Sequence, residues 1–522
     1  MKMYKQQNKL RVATTTGDTE KARRVTGGKI MEKTTQAAAS GKAAPLGKKI
    51  WACAIVFGLI GQIAWVVENM FFAKFGQDLF DTRGELYFTV TTLMVILSAV
   101  TATVTTIFAG GLIDKTGKRK PFITVGYLLW GVTIMLFAAI PIDFSDDSSW
   151  GIIAALVVLD CVMTFFGSTA NDAAFNTWVA DVTDVTNRGK VNTILSVMPV
   201  IATVLVFGIG MLTYDNGATY VNDLGETVKV AIADRDGLLI KLFFIIMGIF
   251  PMVGGVLSAF MMKDSPDIVK NSNPNYLKET FYGFRPSVVK ENKMMYVTLG
   301  TVCLLGIAQQ IFMSYLINFI EKTLGITNYI IPLAVIIVVG AVLTGVLGVF
   351  FDKYGRKHFY YPLLAILVVG AIVVYCMKFM DPSAYLPILI VGGSVLLGAI
   401  LSVSGALTAS FQDYIPKGAE GRFQGVRMCF TVLIPMALGI GIAQAVGVNS
   451  LDAHSEGQMQ PPFELFLAAA IVVACAAIPL FWVVKDSDRL RAELMRRKDA
   501  ETAAAEDGEA VLPEQTEDTA EQ

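Results

Sequence analysis

Twelve long apolar stretches dominate this chain and fix what it can become. They fall at 50–73, 87–113, 121–142, 151–180, 190–213, 237–262, 294–320, 328–351, 359–380, 384–411, 424–447 and 463–484. About 20 apolar residues span a bilayer as a helix. Backbone that crosses a bilayer must also satisfy its own hydrogen bonds. The runs are continuous rather than alternating, so they read as helices and not strands. Charged residues make up only 17% of the chain, against about 25% in a soluble domain. The first stretch lies behind a long polar tail and is longer than the apolar core of a cleavable signal peptide. It is expected to remain as a membrane helix.

Lys and Arg set the orientation. The N-terminal tail, the even-numbered loops and residues 485–498 hold 36 of the 43 basic residues. The odd-numbered loops are mostly acidic, as in "PIDFSDDSSW" at 141–150. An even helix count puts both termini on one side, and the charge bias makes that side the cytoplasm. The expectation is a multi-pass protein of the plasma membrane. Residues 1–48 form a basic tail, and 486–522 a basic and then acidic one. Residues 499–522 carry nine acids and no Lys or Arg, a composition that buries no core. Lys74, Lys241, Lys378 and Arg427 sit near helix ends, where long cations snorkel to the interface.

Several chemistries are unsupported. The six cysteines lie in apolar stretches without CxxC spacing, which argues against a disulfide framework or zinc site. The two histidines, His358 and His454, fall in expected loops. There is no phosphate-binding Gly-x-x-x-x-Gly-Lys-[Ser/Thr] loop and no soluble domain long enough for a nucleotide. Neither an enzyme, a cofactor, a metal nor a nucleic-acid partner is expected.

The chain repeats itself. "GGLIDKTGKRKPFI" (110–123) follows the second stretch, and "GVFFDKYGRKHFYY" (348–361) follows the eighth. "DVTDVTNRGKVNTI" (181–194) and "QDYIPKGAEGRFQG" (412–425) make a second matching pair. Asp114 maps to Asp352 and Arg188 to Arg422, with nearly equal offsets. Two six-helix halves follow, 49–262 and 294–485, joined by a linker at 263–293. Parallel six-helix repeats are a transporter architecture.

The loop motif carries a resemblance. Gly110/Gly111, Asp114, Gly117, Lys118 and Arg119, with the second copy Asp352, Gly355, Arg356 and Lys357, resemble the signature loop of the major facilitator superfamily. The resemblance covers about 49–485. It implies twelve transmembrane helices in two pseudo-symmetric bundles that alternate around a midplane cavity. It also implies that Asp114 faces the start of helix eleven near Gln424–Arg427, and Asp352 the start of helix five near Lys190–Asn192. A helix N-terminus favours such an anion, and a glycine makes the tight turn without steric cost. Gly117, Arg119, Gly355, Arg356, Arg188 and Arg422 complete the expected gating set.

Three carboxylates lie inside the apolar stretches. A charge at the bilayer centre costs about 2.5–3.5 kcal/mol on insertion scales, so such groups face a cavity or a partner. Trp150 and Trp178 read as interface markers of helix four, about 42 Å apart. Asp160 then lies about 6 Å outside the midpoint and Asp172 about 12 Å inside it. Asp160, Thr164, Ser168, Asn171 and Phe175 share a stripe. Helix one offers Gln62, Trp65, Glu68 and Asn69, and helix seven Gln309, Gln310, Ser314, Asn318 and Glu321. The expected cation-coupling residues are Asp172, Asp160 and Glu68. The expected substrate-binding residues are Gln62, Trp65, Asn69, Asp160, Asn171, Gln309, Gln310, Ser314 and Asn318. Amides can bond hydroxyl groups, and Trp65 can stack on a sugar face. Gln and Asn can equally serve as glue between helices.

"NDAAFNTWVADVTDVTNRGK" (171–190) resembles the melibiose-type glycoside–pentoside–hexuronide:cation symporters through Asp172, Phe175, Asp184 and Arg188. "GKRKPFI" and "ADV" resemble sucrose-type transporters. The first resemblance implies that Asp172 serves cation and sugar sites. Stretch 87–113 lacks the acids that melibiose-type symporters use for sodium, and a proton needs fewer ligands. The expectation is proton- or monovalent-cation-coupled symport of a sugar or glycoside by a monomer in the bilayer. The rivals are proton-driven efflux of amphipathic compounds and a non-transporting sensor or scaffold.

Overall fold

The computed structural model describes residues 47–183, 188–214, 219–221, 227–229, 238–264, 281–326, 328–415, 420–450, 454–455, 458–486 and 489. The expected tails lie outside these residues, apart from short pieces at their inner edges. At Asp114, Arg188, Asp352 and Arg422 only the backbone is described.

The described chain is almost all helix. The helices are α1 (Lys48–Leu79), α2 (Leu86–Thr116), α3 (Lys120–Leu136), α4 (Asp146–Val182), α5 (Arg188–Thr213) and α6 (Leu238–Met261). They continue as α7 (Lys293–Met313), α8 (Ile330–Tyr354), α9 (Lys357–Cys376) and α10 (Tyr385–Tyr414). Then come α11, built from Glu420–Met428, Cys429–Leu433 and Ile434–Asn449, and α12 (Glu464–Asp486). Eleven are long and apolar enough to cross a membrane, and α5 has a shorter described apolar part, Val197–Thr213. Two small hairpins pair Thr219–Val221 with Thr227–Lys229 and His454–Ser455 with Gln458–Met459.

Packing follows the two halves. In the first, α1 lies on α5 and α6, α3 on α6 and α4, and α2 on α4. In the second, α7 lies on α10, α11 and α12, α8 on α10, and α9 on α10 and α12. Between halves, α2 meets α11 and α5 meets α8, a symmetric exchange of equivalent helices. Backbones approach closely where small residues permit it. A Cβ on Gly131 of α3 would collide with the Gly248 carbonyl of α6, and one on Gly248 with Met135.

Several expectations change. α1 runs on to Leu79 because Lys74, Gln77 and Asp78 find partners there instead of ending the helix. Lys74 does not snorkel; its side chain is only 4% exposed and ion-paired. Lys378 pairs with Glu464 at 2.8 Å. Trp150 is exposed, but Trp178 is buried, stacks on Phe175 and donates to the Lys263 carbonyl at 3.0 Å, so it is a packing residue and not an interface anchor. His358 belongs to the first turn of α9 and His454 to a hairpin.

Three helices contain turns widened to i→i+5 spacing, Val67–Phe72 in α1, Ser168–Phe175 in α4 and Cys429–Leu433 in α11, and a further such turn, Phe319–Thr323, follows α7. Such turns frequently occur at functional sites. Here they carry Glu68, Asn171, Asp172 and Glu321.

Candidate functional site

Glu68 and Asp160 are buried between α1 and α4. Glu68 Oε1 accepts a 2.6 Å hydrogen bond from Thr164, one turn beyond Asp160. Glu68 Oε2 and Asp160 Oδ1 are buried without a hydrogen-bond partner. No Lys, Arg or His pairs with either carboxyl among the described residues. Through Thr164, Glu68 of α1 meets the part of α4 that carries Asp160, and Asp172 follows further along α4 in its widened turn. Asp172 is half-buried beside Ser168 and Asn171.

The expected substrate-binding residues separate into groups. Asn171 is a joint between helices: Tyr127 of α3 donates to its Oδ1 and to the Phe57 carbonyl of α1, both at 3.0 Å. Gly61 of α1 leaves the room, since a Cβ there would strike the Asn171 amide. Trp65 is half-buried and sets its ring edge-on to Trp130, with centroids 5.1 Å apart. Gln62 and Gln309 are half-buried. Asn69 is exposed and donates to the Trp65 carbonyl of its own helix.

Ser314 and Asn318 lie elsewhere, in a clamp at the helix ends opposite the basic loops. Lys74 of α1 bonds Glu321 at 2.6 Å, Asp78 at 3.0 Å and Asn318 at 3.1 Å. Gln77 donates to the Ser314 carbonyl at 2.9 Å and accepts from Asn318 at 3.0 Å. Asn318 also donates to Asp78 at 3.2 Å, and Lys322 pairs with Asp81 at 3.3 Å and Asp78 at 3.5 Å. Gln310 donates to the Ser314 hydroxyl at 2.9 Å. The Met459 amide donates to the Asp81 carbonyl, and Gln444 donates to Thr89. These contacts tie the two halves together at this end. The signal for the clamp was present in the sequence, as Lys74 and Asp78 at i, i+4 spacing and the adjacent Glu321 and Lys322, but Lys74 read as a snorkelling helix end and Glu321 as part of the polar stripe of helix seven.

At the opposite end the two loops share a positive-φ glycine and an Arg–Asp pair. Gly117 closes α2 with φ 64°, and Gly355 closes α8 with φ 85°. Arg119 reaches Asp181 at the end of α4 at 3.0 Å and the Ile113 carbonyl at 2.7 Å. Arg356 reaches Asp413 at the end of α10 at 2.8 Å. Both described ion pairs stay within one half. The side chains of the expected gating residues Asp114, Asp352, Arg188 and Arg422 lie outside the described part of the structure. Their helices run beside each other across the halves, α2 along α11 with its Glu420–Met428 segment and α5 along α8.

The profile of the Major Facilitator Superfamily matches residues 50–440. No match was found among curated proteins. Solved structures similar in fold include a D-xylose–proton symporter, at 14% identity and TM-score 0.61 over 83% of this chain and 96% of that one. The nucleoside transporter NupG aligns at 13% identity and TM-score 0.59, over 83% and 99%. A bacterial homologue of the human lysosomal transporter Spinster aligns at 14% identity and TM-score 0.59, over 85% and 97%. The repeated loop, the paired halves and this match together make the chain a multi-pass membrane transporter of the Major Facilitator Superfamily.

Proposed function

We propose that the chain is a proton-coupled symporter of a sugar or glycoside, acting as a monomer by alternating access. The observation that carries this reading is the buried pair of carboxyls, Glu68 and Asp160, with two unpartnered oxygens and no cation between them. A bare charge in a dry site is costly, and two like charges in one site cost more. A proton bound there removes that cost, and its release makes the pair respond to water entering from one side. Asp172, half-buried one widened turn nearer the basic loops, is the relay between the pair and that side. The Thr164 hydroxyl orients Glu68 and ties α1 to α4 as the proton moves.

Sugar recognition falls to Gln62, Trp65 and Gln309, which are half-buried and available for hydroxyl bonding or stacking. Ser314 and Asn318 contribute only when the clamp opens. Similarity to a D-xylose–proton symporter is in keeping with this choice. In this reading residues 49–262 and 294–485 are the moving halves, 263–293 links them, and both termini lie in the cytoplasm of a plasma-membrane protein. Arg119 and Arg356 brace the turns at Gly117 and Gly355. Asp114, Asp352, Arg188 and Arg422 close the cytoplasmic face when the clamp opens. The test is uptake by proteoliposomes of a panel of pentoses, hexoses and disaccharides, with and without a pH gradient. Gradient-driven accumulation is expected. Extrusion of amphipathic compounds instead would make it an exporter, and absence of any flux would point to a scaffold.

A further inference from the structure

Between α2, α3 and α4, on the outer surface of the first half, lies an open groove of about 530 Å³. Its walls are apolar, with Phe108 and Leu112 from α2, Pro121 and Val125 from α3, and Phe165 from α4. Phe108, Leu112, Val125 and Phe165 are about half exposed. Gly126 lies at the floor, where a Cβ would stand 2.6 Å from that of Ala170, so α3 and α4 touch there while α2 stands off. The result is a furrow rather than the convex face that annular lipid normally covers.

One end of the furrow is basic. Lys115 follows Leu112 by three residues, Lys120 directly precedes Pro121, and Lys118 sits in the turn between them. Lys115 and Lys118 are exposed and Lys120 is half-buried. Their ammonium groups have no hydrogen-bond or ion-pair partner among the described residues. The described acids nearby are already engaged. Asp181 pairs with Arg119, and Asp264 accepts from the backbone amides of Arg119 and Lys120 at 2.9 and 2.8 Å. An apolar furrow that opens under three lysines complements a molecule with an acyl chain and an anionic head.

We propose that this groove is a binding site for an anionic phospholipid of the leaflet on the basic-loop side. One acyl chain lies along Phe108, Val125 and Phe165, and the phosphate-bearing headgroup sits on Lys115, Lys118 and Lys120. Each lysine near an anionic headgroup adds electrostatic attraction to it. The bound lipid ties α2 to the turn that carries Gly117 and Arg119. This site is separate from the carboxyl pair and does not depend on the transported substrate.

The test is native mass spectrometry of the delipidated full-length protein titrated with phosphatidylglycerol or phosphatidylcholine of the same acyl chains. The wild-type chain should retain one phosphatidylglycerol with a preference of about tenfold or more over phosphatidylcholine. The triple variant Lys115→Gln, Lys118→Gln, Lys120→Gln should lose the preference while keeping its unfolding temperature. Val125→Trp, a lipid-facing change that fills the groove, should lower retention of phosphatidylglycerol with the lysines intact. Equal retention of both lipids by the wild-type chain would overturn the proposal. So would undiminished retention in Val125→Trp, which would mean a headgroup contact without a chain site.

Discussion

Lys74 and Glu321 meet at 2.6 Å across the two halves, at the helix ends away from the basic loops. Their contact is buried, with Lys74 4% and Glu321 16% exposed. Removing one partner from a buried pair strands the other, at a cost of about 3–5 kcal/mol. Lys74→Met leaves Asp78 and Glu321 facing each other without their shared cation. Spin labels at Glu85 and Asn328 should then report a longer distance in most molecules, where the wild type shows mainly the short one. An unchanged distance distribution would mean that the clamp does not hold this face closed.

Asp81 gives the same clamp a pH dependence. Burial raises its carboxyl above the usual aspartate range, and Lys322 opposes this only in part. The closed state therefore holds the proton more tightly than an open, hydrated Asp81, so protonation favours closure. That stabilisation is present below the pKa of exposed aspartate, about 3.9, and is lost as pH rises through the raised value. Mild acid on this side should shift the same label distances toward the short population. Asp81→Asn should remain more closed than wild type at neutral pH and lose the response. The opposite direction would show that the Lys322 contact outweighs burial.

The two loop arginines should differ in cost. Arg119 is buried, whereas Arg356 and Asp413 are each about a third exposed. Arg119→Gln should cost about 3–5 kcal/mol of stability, and Arg356→Gln at most about 1 kcal/mol. Thermal unfolding in detergent should show a clear drop for the first and a small one for the second. Equal shifts would remove the argument from burial.

Asn171 should behave as a structural joint. Tyr127→Phe strands its buried carbonyl oxygen, at about 1–3 kcal/mol. Tyr127→Phe and Asn171→Ala should be strongly non-additive in unfolding free energy, as residues in contact are. Additive effects would leave Asn171 free for the substrate role its position in the sequence suggested.

The fold was legible because apolar length alone decides it. Each of the twelve stretches found its helix, and the repeated loop found a positive-φ glycine in each copy, Gly117 and Gly355, with equivalent ion pairs to Asp181 and Asp413. The site was legible only in part. Glu68 and Asp160 stood out because charge is costly in hydrocarbon. Their convergence through Thr164 depends on the rotation of α1 against α4, which no spacing within one helix states. Asn318 and Ser314 carry the same polar signal as a binding residue, yet their partners Lys74, Gln77 and Asp78 lie over 230 residues away. The widened turns at Val67–Phe72 and Ser168–Phe175 left no mark in composition at all.

The most direct measurement is sugar accumulation by proteoliposomes under an imposed pH gradient, compared with exchange at equal pH, for Glu68→Gln and Asp160→Asn. With the carboxyl pair as the coupling element, both variants lose gradient-driven accumulation while exchange of the same sugar continues. Full accumulation in both variants, with the wild-type dependence on pH, would contradict the account.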